Sequence, residues 1–187
     1  MRKLTYYVGS SVDGFIAGPG GSVDFFPVVD DVISYIVAEF PETLPTHIRT
    51  SLGVERENRR FDTVIMGRAT YDPALAEGIT SPYSHLKQYV ATRSLTSSPD
   101  ADVSITSDPI TTVRELKQEQ GAEIWLAGGA KLAGTLLPEI DELIVKIYPV
   151  AVGSGIPLFD ADFTPTRLEL TASTLLDSGT TIMSYTK

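Results

Sequence analysis

Apolar and polar positions alternate through residues 4–10 (LTYYVGS), the period-two pattern of a strand that buries one face. Over residues 28–40 (VVDDVISYIVAEF) the period lengthens, and Val29, Val32, Ile33, Ile36, Val37 and Phe40 fall on one face of a predicted helix. A short β-branched run, DTVIMG (62–67), ends at a glycine and predicts a second strand. The helical pattern that follows covers roughly 69–78, with Pro73 placed in its first turn, where no backbone donor is missed. QYVATRS (88–94) and DVSIT (102–106) predict two further strands. SDPITTVRELKQEQG carries explicit helix signals: Asp108 as N-cap, Pro109 as first helical residue and Gly121 as the stop.

A strand, a glycine turn and a helix follow in EIWLAGGAKLAGTLLPE (123–139). DELIVKIYPVAVG (141–153) is apolar on both faces, as expected in the middle of a sheet. RLELTAST and TTIMSYTK predict a hairpin across LDSG. Residues 41–60 fit this alternation least and read as a second short helix with a polar loop. Strands alternating with helices imply parallel pairing through crossovers, and the closing hairpin implies an antiparallel edge. The expected fold is α/β: one domain over residues 1–187, a mixed, mostly parallel central sheet with helices on both faces, and a C-terminal antiparallel hairpin.

Composition narrows the chemistry. The absence of cysteine excludes disulfides, thiolate metal sites and cysteine nucleophiles, and two histidines argue against a histidine-rich metal centre. A net charge of −9 argues against a nucleic-acid partner. No apolar run approaches the length of a membrane span, and the amino-terminal stretch lacks the apolar core of a signal peptide, so a cytoplasmic location is expected.

The candidate chemistry gathers just past the predicted strands. Gly67 and Arg68 follow one of them, with Thr70 in the helix start. Thr92, Arg93 and Ser94 follow another, Thr106 and Ser107 a third, and Gly128, Gly129, Ala130 and Lys131 a fourth. Ligands of open α/β sheets bind along that carboxyl edge, so these ends would line one groove suited to a long polyanion. The glycine spacing is not the G-x-G-x-x-G of a Rossmann domain. Lys131 keeps two readings, phosphate contact or exposed helix start. The loop SSVDGFIAGPGGSVDFF is a surface loop with tight turns or a lid over a ligand. Arg49, Arg56, Arg59 and Arg60 are a phosphate clamp or a solvated face.

SVDGFIAG, VIMGRATYD, VATRS, IWLAGGAKLAGTLL and DELIVKIYPVAVGSGIPLF occur in that order across nearly the whole chain. In content and order they resemble the dihydrofolate reductase superfamily, and within it the reductase domain of the bifunctional riboflavin-biosynthesis deaminase-reductases and its stand-alone bacterial relatives. The resemblance implies a reductase that uses NADPH laid across the carboxyl edge of the sheet. Arg68 and Thr70 would sit near the adenosine phosphate and pyrophosphate, and Thr92, Arg93 and Ser94 near the 2′-phosphate and adenine. Gly128 to Lys131 would cradle the pyrophosphate, Gly67 would let the cofactor approach the backbone at a strand end, and loop 12–16, with Val12, Gly14 and Ile16, would touch the nicotinamide. It also implies a small heterocyclic (pterin- or pyrimidine-like) or carbonyl substrate and a homodimer. A proton must accompany the hydride; the candidate carboxylates are Asp13, Asp24 and Asp31, each of which also reads as a turn or helix-start charge. The alternative is a nucleotide-binding protein of the same fold without reductase activity.

Overall fold

The computed structural model describes residues 1–54 and 56–187. Eight strands form one sheet: β1 (Leu4–Ser11), β3 (Phe61–Gly67), β4 (Lys87–Ala91), β5 (Val103–Thr106), β6 (Glu123–Gly128), β7 (Glu142–Tyr148), β9 (Glu169–Leu175) and β10 (Thr181–Thr186). Their spatial order is β5-β4-β3-β6-β1-β7-β10-β9. The six from β5 to β7 pair in parallel, and β10 and β9 close the other edge in antiparallel fashion. The mixed, mostly parallel sheet with a C-terminal antiparallel pair is the architecture read from the alternation. Two short strands, β2 (Phe15–Ala17) and β8 (Ile156–Pro157), pair outside that sheet and carry too few residues to leave a periodic signal.

Helices α4 (Pro109–Gln118) and α5 (Ala130–Leu136) cover one face, over a core that includes Leu4, Tyr6, Ile65, Leu126 and Val145. Helices α1 (Asp30–Glu39), α2 (Thr46–Ser51) and α3 (Arg68–Ala76) complete the helical set, and a second core of Tyr7, Phe40, Phe61, Met66 and Trp125 fills the opposite face. Asp108 caps α4 as expected, accepting the Thr111 N–H at 3.1 Å. Strand β7 is buried nearly throughout, as its apolar run requires. No helix among the described residues is long and apolar enough to cross a membrane.

Some boundaries differ from the expectation, while residues 41–60 hold the expected short helix. Helix α3 starts at Arg68, directly off the strand end with Gly67 as its N-cap, so Pro73 lies inside the helix in its second turn. Strand β7 stops at Tyr148 because Pro149 has no N–H for the ladder. The freed residues turn to meet the loop after β1, where the Val12 N–H donates to the Val150 carbonyl at 2.9 Å. Residues 41–60 contribute a 3₁₀ turn at Pro41–Thr43 and α2, anchored by Glu42. That carboxylate is wholly buried and accepts the backbone N–H groups of Arg59, Arg60 and Phe61 at 3.2, 2.8 and 2.8 Å.

Candidate active site

A cleft of about 1090 Å³ runs along the carboxyl edge of the sheet. That is at the upper end of the range for small-molecule sites, roughly 300–1,000 Å³, and leaves room for an extended ligand beside a second one. The strand order divides its walls. The lip formed by β4, β3 and β6 supplies Ala91, Thr92, Arg93, Gly67, Arg68, Thr70 and the run from Gly128 to Lys131. The lip formed by β1, β7, β2 and β8 supplies Val8, Gly9, Lys146, Tyr148, Ile16 and Ile156. Among the described residues four cations, Arg68, Arg93, Lys131 and Lys146, line the cleft with one carboxylate, Asp160, and Arg68 pairs with Asp72 just outside the lining, in a chain whose net charge is −9. The groove is thus locally cationic in an acidic protein, which focuses an anionic ligand there.

On the first lip the backbone is held open by geometry. A Cβ on Gly67 would lie 3.5 Å from the Gly129 nitrogen, so the end of β3 packs directly on the double glycine. Gly128 has φ 121°, a conformation side-chain-bearing residues rarely adopt. Arg68 is held by two partners: its Nε donates to Asp72 one helical turn on, and its Nη1 donates to the Ser94 hydroxyl at 3.4 Å. Ser94 in turn lies 3.1 Å from the Thr92 hydroxyl, which joins the ends of β3 and β4 into one polar shelf.

On the second lip Lys146 stands opposite Gly9 of β1 and Ile182 of β10. It is 7% exposed, and its ammonium lies 3.6 Å from the centroid of the Tyr7 ring. It makes no hydrogen bond or ion pair among the described residues. Burial pulls its pKa down to about 7. The rings of Phe25, Phe26 and Tyr148 form a continuous wall beside it, with centroids 4.4 and 4.8 Å apart.

Among the sequence-derived cofactor candidates, Ile16, Gly67, Arg68, Thr70, Thr92, Arg93, Gly128, Gly129, Ala130 and Lys131 all line the cleft. Ser94 stands behind the lining and holds Arg68, and Val12 and Gly14 lie outside it. The candidate carboxylates lie elsewhere. Asp13 accepts the Ser11 hydroxyl at 2.6 Å and the Gly153 N–H at 2.7 Å, bonds that hold its carboxyl below the usual carboxylate range. Asp31 accepts the Ser178 N–H at 2.7 Å, which lowers its pKa and ties α1 to the β9–β10 turn. Asp24 is exposed and outside the lining.

The glycine-rich loop after β1 does fold over the cleft. Ile16, Ala17, Gly21, Val23 and Phe26 line it, and the β2–β8 pairing fastens the loop. Of the arginines of residues 41–60, Arg49, Arg59 and Arg60 serve the scaffold instead, and Arg56 is exposed. Arg60 pairs with Glu123 and Glu142 at the amino ends of β6 and β7, Arg59 with Glu39, and Arg49 donates to Asn58. Lys146 and Tyr148 carried one readable sign in the sequence: a lone lysine inside an otherwise apolar strand, LIVKIY.

Known proteins share this frame. The profile of the RibD C-terminal domain matches residues 2–182. YwjB of Bacillus subtilis (strain 168), itself uncharacterized, is 34% identical over 172 residues, which cover 90% of this chain and 89% of that one. YyaP of the same organism is 26% identical over 172 residues, covering 85% and 81%. A Shewanella sp. PV-4 protein named for riboflavin biosynthesis superposes with a TM-score of 0.72 at 22% identity, over 100% of this chain and 98% of the other. RibD of Acinetobacter baumannii superposes with a TM-score of 0.64 at 18% identity; this chain, aligned over its full length, spans 58% of it. The bifunctional diaminohydroxyphosphoribosylaminopyrimidine deaminase/5-amino-6-(5-phosphoribosylamino)uracil reductase of Thermotoga maritima gives 0.64 at 14% identity, over 99% of this chain and 56% of that one. The reductase-type fold, the cleft at its carboxyl edge and the match along nearly the entire sequence agree: the chain belongs to the RibD C-terminal domain family.

Proposed function

We propose that the protein is an NADPH-dependent reductase that transfers a hydride to a small heterocyclic or carbonyl substrate. The observation that carries this reading is the cationic, glycine-floored lip of β4, β3 and β6. Its donor set fits a phosphorylated dinucleotide. Arg68 and Arg93 offer planar two-point contacts to phosphate, Thr70 and Thr92 offer hydroxyls, and the Gly128–Gly129 turn lets a pyrophosphate approach the backbone. A bound nicotinamide would supply the hydride. The chain's own part is to fix its distance and angle to the substrate, exclude water under the glycine-rich loop and furnish a proton. The kinship of the fold with RibD reductase domains supports the same reading.

The test is thermal and calorimetric titration with NADPH and NADH. A ligand at 100 times its Kd stabilises the native state by about 2.7 kcal/mol, enough to raise Tm by several degrees. Trp125, buried on β6 beneath the cleft, reports binding by quenching. No shift at saturating NADPH sinks the reading, and equal affinity for NADH sinks the preference drawn from Arg68 and Arg93.

A second reading, nucleotide binding without turnover, is favoured by the placement of Asp13, Asp24 and Asp31 off the cleft. NADPH oxidation at 340 nm in the presence of acceptors separates the two. We extend the proposal to a cytoplasmic homodimer paired along β9, an edge strand exposed over its whole length.

A further inference from the structure

The two lips of the cleft differ in what they can bind. All of the phosphate-binding chemistry lies on the β4–β3–β6 side. On the β1–β7 side the single charged residue among the described lining is Lys146, set among Val8, Ile16, Phe26, Tyr148 and Ile156. Of the other candidates for a substrate phosphate, Arg49, Arg59 and Arg60 are committed to the amino edge and to surface contacts, and the exposed Arg56 lies outside the cleft lining. Among the described residues the β1–β7 side is thus apolar, with Phe26 and Tyr148 as its aromatic rings, one buried ammonium and no arginine. Gly9 keeps it open above Lys146, since a Cβ there would lie 3.0 Å from the Tyr148 ring.

Resting on the reductase reading, we propose that this half of the cleft takes a flat, phosphate-free ring compound bearing a polarised C=O or C=N, with Lys146 Nζ donating a hydrogen bond to its heteroatom and then the proton. Hydride supplied by the reduced nicotinamide forms the new C–H bond, and the C=O or C=N π bond breaks. Its electron pair takes a proton from Nζ, and the neutral amine left behind is reprotonated by water. Oxidised nicotinamide and the reduced ring are the products.

The surroundings of Lys146 suit the role. Tyr7 lies beneath the ammonium, and Tyr148 follows two residues on along the same strand; burial first, then Tyr148, Tyr35 and Glu42, hold the Tyr7 hydroxyl well above its ordinary pKa. Glu42 is already bonded to three backbone N–H groups, and among the described residues no carboxylate forms an ion pair with the lysine. A pKa near 7, set by burial, keeps the ammonium available at neutrality while making it ready to release its proton.

The test is calorimetry on NADP⁺-saturated protein with four probes: a naphthoquinone, a pterin, 5-amino-6-ribosylaminouracil and the 5′-phosphate of that last compound. At least one phosphate-free ring is expected to bind, with the phosphate adding less than threefold to affinity. NADPH oxidation with the bound ring should slow as pH rises through about 7, as the donor is lost. Lys146→Met should weaken ring binding at least tenfold and slow reduction about 100-fold, while NADP⁺ affinity stays within threefold. The proposal is overturned if no phosphate-free ring binds, if the phosphate tightens binding tenfold or more, if a bound ring is not reduced, or if Lys146→Met changes neither ring binding nor the pH profile. Failure of NADP⁺ itself to bind overturns the reductase reading and this proposal with it; every other failure leaves that reading standing.

Discussion

The Asp13 carboxylate accepts the backbone N–H of Gly153 at 2.7 Å, so the loop after β1 is tied to the turn after β7 across one end of the cleft. Val152 donates to the same carboxylate at 3.1 Å, and the Ser11 hydroxyl adds a third contact at 2.6 Å. Asp13→Asn weakens this tether without removing its bulk. Faster proteolytic cleavage within residues 12–27 is expected, together with a lower Tm at pH 7. An unchanged cleavage rate would show that the β2–β8 pairing alone holds the loop.

Acid should act through the same groups. Asp13, Asp31, Asp100 and Asp108 all have pKa values lowered in the native state, each chiefly by a hydrogen bond that it accepts. Native pKa values below the unfolded value, about 3.9, mean that the unfolded chain binds more protons in that range. The stabilisation is therefore full above about pH 4 and is lost as pH falls through the native values. Tm measured from pH 6 to pH 2.5 should stay nearly level at first and then drop. The drop should be smaller in Asp13→Asn, and an equal drop in both proteins counts against Asp13 as a contributor.

Arg68 is aimed by Asp72 and Ser94, and this orientation fixes how its guanidinium meets the cleft. Charge-assisted hydrogen bonds are worth about 1.5–3 kcal/mol each. Arg68→Ala should therefore weaken NADPH binding by roughly 10- to 100-fold. Asp72→Asn, which leaves the charge but loosens its aim, should cost less than Arg68→Ala. Calorimetric Kd values for the three proteins decide the order.

The parts legible in the sequence are those with a local cause. Period-two alternation marks β1, an N-cap followed by proline marks α4, and glycines after strands mark the cleft lip formed by β4, β3 and β6. The unread parts depend on distant partners. Asp13 looks like any aspartate before a glycine until Val152 and Gly153 come round to meet it. Asp31 looks like a helix-start charge until Ser178 arrives from the last hairpin. Lys146 was visible as the one charged residue in LIVKIY, but its burial follows from strand order, which places β7 between β1 and β10. Arg60 is ambiguous in the sequence for the same reason, since its partners Glu123 and Glu142 lie far along the chain.

Glu42 fixes that region. Removing its buried carboxylate in Glu42→Ala leaves the N–H groups of Arg59, Arg60 and Phe61 without their acceptor. An unsatisfied buried donor costs about 1–3 kcal/mol, so a loss of roughly 3 kcal/mol or more is expected. At about 2–4 °C per kcal/mol for a chain of this size, Tm should fall by roughly 6–12 °C. Glu42→Gln keeps an oxygen acceptor and should lose less.

Strand β9 presents an exposed ladder edge, with Leu170 and Leu175 53% and 73% exposed. An unpaired edge of this kind invites strand pairing. Light scattering should report a dimer, and Ser173→Pro, which removes a ladder donor in mid-strand, should shift it towards monomer. A wild-type monomer at all concentrations rejects the homodimer.

Burying Lys146 has a cost that depends on pH. Its native pKa lies near 7, against about 10.4 in the unfolded chain, so between these values the unfolded state binds the extra proton. Stability should therefore rise as pH increases from 7 towards 10, by an amount on the order of a few kcal/mol from this group alone. Lys146→Met removes the titration and replaces an uncompensated charge with an apolar side chain of similar length. The variant should be more stable than the wild type at pH 7, and the difference should shrink as pH approaches 10. His85 and Lys187 also have lowered pKa values, but they titrate alike in both proteins, so the difference in Tm isolates Lys146. A constant difference between pH 7 and pH 10 would mean that Lys146 keeps an ordinary pKa, and the proton-donor role would lose its support.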